Sequence, residues 1–159
     1  MKRISIIFLQ IVLVLIGIVA VTLMIRLPAL EGRAEGLDVI SIYSDPFILY
    51  GYATSIAFFI GLYKAFRLLG YIGQNRLFTL DSIHALKVIK YCAIIISASI
   101  VMAALYISIS HHPDDDPAGF IGMSVILTFI FITIATAVTV LERILQNAVD
   151  MKSENDLTI

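Results

Sequence analysis

No aspartate, glutamate, lysine or arginine occurs in four long stretches of this chain: Ile4 to Ile25, Phe47 to Tyr63, Tyr91 to Ser110 and Ala118 to Leu141. That absence excludes an ordinary soluble domain, since about 20 apolar residues rising about 1.5 Å each match a hydrocarbon core of about 30 Å. Composition agrees, with 14% charged residues against 60% hydrophobic ones. Cysteine is nearly absent too: Cys92 stands alone, which excludes an intrachain disulfide and a paired-thiol redox site and leaves buried packing as its role. With no ionisable side chain inside the stretches, a proton relay has little basis, and Gln10 is the deepest strongly polar group. There is no HExxH zinc motif, no glycine-rich phosphate loop and no nucleophile with a base on the same face. An enzyme is therefore not expected, nor a cofactor.

What is present points to one all-α membrane domain over residues 1–159: an integral bundle of four transmembrane helices with cytoplasmic helical extensions. The transmembrane helices are expected at about 4–25, 47–69, 88–110 and 118–141, with a cytoplasmic hairpin at about 64–90 and a cytoplasmic C-terminal helix at about 142–153. The net charge of −1 hides an asymmetry. Lys2, Arg3, Lys64, Arg67, Arg76, Lys87, Lys90, Arg143 and Lys152 fall on one side of the expected membrane, and only Arg26 and Arg33 on the other. The positive-inside rule then puts both termini in the cytoplasm of a bacterial inner-membrane protein. The first stretch begins as a signal peptide would, but its 22 residues outrun a usual h-region of about 7–15, and an uncleaved anchor is expected.

The hairpin from Lys64 to Lys90 keeps helical apolar spacing at Phe66, Leu69 and Ile72 and again at Ile83, Leu86 and Ile89. Gly73, Gln74 and Asn75 mark the stop of its first helix, while Thr79 with Asp81 or Ser82 can cap the second. Lys64, Arg67, Lys87 and Lys90 make a basic collar suited to lipid headgroups, or, with Arg76, to a docking partner. Past the fourth span, Leu141, Ile144, Leu145, Ala148 and Met151 form an apolar stripe expected to pack on the hairpin. Glu142, Arg143, Gln146, Asn147 and Asp150 take the other side, with Glu142 able to pair with Arg143 or a headgroup.

In lipid, helices associate where small residues let backbones approach. Ala53, Ala57, Gly61 and Ala65 recur every four residues in the second span and are the best candidate for a close contact. Ala93 with Ser97 offers a similar face in the third, and Thr128, Thr133, Thr136 and Thr139 bring hydroxyls to the fourth, either bonding within it or lining a polar path. The outward connection from Arg26 to Asp45 is broken by Pro28, Gly32 and Gly36 and reads as a packed loop, with a ligand-contacting lid as the other reading. In the second outward connection, HHPDDDP, residues His111, His112, Asp114, Asp115 and Asp116 could hold a divalent cation, but spacing this tight rarely turns all five to one centre. Two prolines and three aspartates also make a polar turn, and no specific metal site is assigned.

The stretches GLYKAFRLLGYI, ALKVIKYCAIIIS and LQNAVDMKSENDLTI, in this order, resemble the small four-span bacterial membrane proteins of the YoaS-like family, a domain of unknown function. The resemblance covers nearly the whole chain. It implies a regulatory or stress-linked partnership, because members are often encoded beside a small helix-turn-helix repressor, and it supplies no catalytic residues. The expectation is therefore a regulatory or membrane-sensing interaction protein working through Arg67, Arg76, Lys87, Lys90 and Asp150 on its cytoplasmic surface. Its partners would be the lipid bilayer, a cytoplasmic helix-turn-helix regulator and further copies of itself, with no direct binding to nucleic acid. The alternative is a small oligomeric transporter or an export or immunity accessory, which would place function on Gln10 and the Thr-rich fourth span.

Overall fold

The computed structural model describes residues 2–30, 42–110 and 116–156. The described chain folds as four long helices, α1 (Lys2–Leu30), α2 (Pro46–Gly73), α3 (Leu80–Ser110) and α4 (Ala118–Asp156), all long and apolar enough to cross a bilayer. Consecutive helices run antiparallel, so the first turn of α1, the α2–α3 turn and the end of α4 gather at one end. Nine of the eleven basic residues belong to this end. With 39 residues, α4 is about 58 Å long, nearly twice a hydrocarbon core, and must emerge from the membrane.

Helix starts follow local chemistry. The Asp45 carboxylate accepts from the Phe47 N–H at 2.7 Å, with Pro46 at the first position of α2, where its missing N–H is harmless. Asp116 serves α4 in the same way, accepting from the Ala118 N–H at 3.0 Å. Pro28 departs from expectation: α1 continues through it to Leu30. A proline there leaves the Met24 carbonyl without its helical donor, and the Tyr52 hydroxyl of α2 donates to that oxygen at 3.0 Å. Tyr43 does the same for the Ile25 carbonyl at 2.7 Å. Most of the remaining connection, residues 31–41, lies outside the described residues.

Packing follows chain order: α1 lies on α2, α2 on α3, and α3 on α4, with the last contact the most extensive and the first the least. Among the described residues α1 and α4 build no comparable contact, so the bundle is open between its first and last helices. The α2–α3 seam closes at Gly61, where a β-carbon would lie 3.3 Å from the Cys92 Cβ. Ala57, Gly61 and Ala65 are half-buried, whereas Ala53 is exposed. A strict four-residue repeat advances about 40° per step on a 3.6-residue helix, so the far end of that stripe rotates out of the seam. Gly17 of α1 was not legible as a contact; a β-carbon there would meet Leu62 Cδ2 at 3.1 Å. At the other end of the molecule Phe47 stacks on Tyr106 and meets Phe120 edge-on, tying α2, α3 and α4 together.

The seam of α4 runs through Ser124, Ala135 and Leu145, which are buried, and half-buried Thr128, Val138, Glu142 and Val149. With half-buried Phe131 between Thr128 and Ala135, these recur at intervals of three and four residues, the spacing that keeps one face on a neighbouring helix. The tightest apolar cluster sits near the basic end: Ile83 and Leu86 of α3 meet Leu145 of α4, flanked by Leu68, Leu77, Val138 and Val149.

Candidate functional site

The basic end is built on that cluster. The α2 helix stops in a Schellman arrangement: the Arg76 N–H donates to the Tyr71 carbonyl at 2.9 Å and the Asn75 N–H to the Ile72 carbonyl at 3.2 Å. Asn75 occupies the left-handed region, with φ 57°, a position where asparagine is tolerated better than most residues. The Thr79 and Ser82 hydroxyls do not cap α3 as expected. Both donate back to the Arg76 carbonyl, at 2.9 and 3.2 Å, and Ser82 is fully buried. The tip is thereby pinned by backbone and hydroxyl bonds that leave the Arg76 side chain exposed.

Against this tip lie the last turns of α4. Asn75, Arg76, Phe78 and Thr79 from the tip, with Ala148 and Lys152 from α4, line an open recess of about 540 Å³. Phe78 and Leu80 beside it are 54% and 70% exposed. Arg76 and Lys152 thus come together from positions far apart in the chain. Lys152 was not singled out in the sequence, because the expected packing of the C-terminal helix on the hairpin did not say which of its turns would reach the tip.

The other expected site residues divide. Lys90 does not face outward: its Nζ meets Glu142 Oε2 at 2.6 Å, with the two side chains 18% and 13% exposed, and it lies 5.2 Å from the Tyr91 ring centroid. Glu142 therefore bridges to α3 and not to Arg143. The apolar stripe of α4 is correspondingly rotated. Leu145 and Val149 pack inward, while Leu141, Ile144 and Met151 remain exposed. Arg67 is held on its own helix, donating to the Tyr63 hydroxyl at 3.3 Å and the Tyr71 hydroxyl at 2.8 Å. Lys87 is exposed on α3, and Asp150 is exposed while accepting from Gln146 Nε2 at 3.0 Å.

The residues favouring a transport path are not assembled into one. Gln10 donates to the Phe66 carbonyl at 3.5 Å and faces Gly70, on the turns of α2 that carry Arg67. Thr133, Thr136 and Thr139 donate to the carbonyls of Phe129, Ile132 and Ala135 on their own helix, and Thr133 and Thr136 are exposed. Of the HHPDDDP group, Asp116 is engaged in capping α4, and His111, His112, Asp114 and Asp115 lie outside the described residues.

A family model described as "Protein of unknown function (DUF2975)" matches residues 29–159. The chain belongs to the DUF2975 family. It is 41% identical over 161 residues to "Uncharacterized membrane protein YoaS" of Bacillus subtilis (strain 168), with the whole of both chains covered. No solved structure matches. Membership agrees with an all-helical membrane protein carrying four candidate spans, and the matched region takes in α2, α3, α4 and every residue of the recess.

Proposed function

We propose that this DUF2975 member is an inner-membrane regulatory or sensing protein whose working surface is the hairpin tip and the end of α4, both in the cytoplasm. The observation that carries this reading is the position of the Ile83, Leu86 and Leu145 cluster. Anchoring alone needs only apolar spans. A packed core at the basic end, with a pinned turn above it, gives a rigid platform that presents Arg76, Lys87, Lys152 and Asp150 in fixed relation. Rigid presentation of charged groups is what selects a partner. The partner that family resemblance implies is a small helix-turn-helix regulator, and a second copy of the chain is the other candidate. The transporter or accessory reading has less support, since Gln10 and Thr136 both spend their polar groups on helix carbonyls.

Orientation is tested first, in a Cys92→Ala background. A membrane-impermeant thiol reagent applied to intact cells is expected to label a cysteine at Asp116 and to miss one at Asn75. The reverse pattern would sink the cytoplasmic assignment.

Function is tested by charge reversal at Arg76, Lys87 and Asp150, compared with Gln10→Leu and Thr136→Val at matched membrane abundance. Partner capture or phenotype is expected to fall at least tenfold in the first set and to stay within about twofold in the second, because rim charges set partner choice. Strong loss confined to Gln10 and Thr136 would favour transport instead.

A further inference from the structure

We propose that the recess between the hairpin tip and the end of α4 binds a phosphate-bearing organic anion, held by Arg76 and Lys152. This rests on reading the basic end as the working surface, and it names the ligand class of that surface. Two cations line the recess with the amide of Asn75, the Thr79 hydroxyl being already given to the Arg76 carbonyl, and no carboxylate is among the described lining residues. Like charges beside one cavity repel, and an anion seated between them removes that repulsion. The donor set suits phosphate. Arginine offers a planar fork, lysine a point charge, and a tetrahedral group has oxygens enough for both and for a neutral donor.

A volume of about 540 Å³ is larger than bare phosphate requires and falls in the range of small-molecule sites, roughly 300–1,000 Å³. Phe78 supplies an apolar wall for the organic part. Preorganisation is built in as well: the Arg76 backbone is fixed by its bonds to Tyr71, Thr79 and Ser82, so only its side chain must be ordered on binding. A phospholipid headgroup and a soluble phosphate ester present the same chemistry, and the experiment separates them.

Full-length protein in a maltoside detergent and phosphate-free buffer is titrated with glycerol 3-phosphate in one arm and dihexanoylphosphatidylglycerol in the other, with thermal shift as the readout. Saturable binding is expected in at least one arm. Binding by the lipid alone assigns the headgroup; binding by glycerol 3-phosphate assigns a soluble ester. Arg76→Gln with Lys152→Gln should weaken it tenfold or more, Arg76→Lys should keep most of it, and Arg143→Gln, which lies outside the recess, should leave it unchanged. Each substitution leaves the backbone bonds of the tip in place. No saturable binding in either arm, or equal binding by the double variant, overturns the assignment. Wild-type protein that captures its partner but binds neither probe loses the phosphate site and keeps the regulatory reading. Wild-type protein that binds a probe and captures no partner does the reverse.

Discussion

Lys90→Met is expected to destabilise the protein by about 3 kcal/mol, the lower end of the range for breaking a buried ion pair. The scale follows from exposure. A solvated pair contributes at most about 1 kcal/mol, but Lys90 and Glu142 retain only 18% and 13% of their side-chain exposure and meet at 2.6 Å. Removing the ammonium leaves the Glu142 carboxylate desolvated between α3 and α4 with its partner gone. Glu142→Gln should be milder, because an amide can still accept from the lysine. The double variant Lys90→Met with Glu142→Met should recover most of the loss, since neither charge then has to leave water. Denaturant or thermal unfolding in detergent of the parent, Lys90→Met, Glu142→Met and the double variant forms a double-mutant cycle, with a coupling above about 1 kcal/mol expected. Single variants within about 0.5 kcal/mol of the parent would mean that water reaches and screens the pair.

Gly61→Leu is expected to cost about 1–3 kcal/mol, and to do so by separating α2 from α3. Even a β-carbon at Gly61 would stand 3.3 Å from the Cys92 Cβ, an atom fixed to the α3 backbone that cannot swing aside. Gly17→Leu should be less severe, as its nearest neighbour is the end of the flexible Leu62 side chain. Ala53→Leu should change little, because Ala53 is exposed and a larger apolar group there meets lipid. The order of melting temperatures in detergent, with Ala53→Leu highest and Gly61→Leu lowest, is the measurement. Equal melting of Gly61→Leu and Ala53→Leu would place the helix contact elsewhere.

These two sites differ in how legible they were. Gly61 could be read from the small residues around it, because close backbone approach in lipid needs small side chains and a repeat of them marks a helix face. The repeat was a guide only over its inner part, since a strict four-residue period drifts around an α-helix and carries Ala53 out to lipid. The Lys90–Glu142 pair could not be read. Its partners are 52 positions apart, and local rules offered Arg143 and the headgroups as equally good neighbours. Lys152 was hidden for the same reason, because only the length and register of α4 bring it to the hairpin tip.

By itself the sequence determined that there are four helices long and apolar enough to cross a bilayer and which end carries the basic residues, because hydrocarbon rejects charge and exposed backbone over a fixed thickness. It also determined that α2 stops near Asn75, since caps are matters of a few adjacent residues. Only the tertiary structure decided which side of α4 turns inward, that Glu142 belongs to Lys90, that Gln10 stands level with Arg67, and that Arg76 and Lys152 share a recess. The physical reason is range. Insertion and capping are decided by a residue and its near neighbours, whereas the rotation and register of packed helices depend on small residues and paired charges that meet only after distant segments have come together.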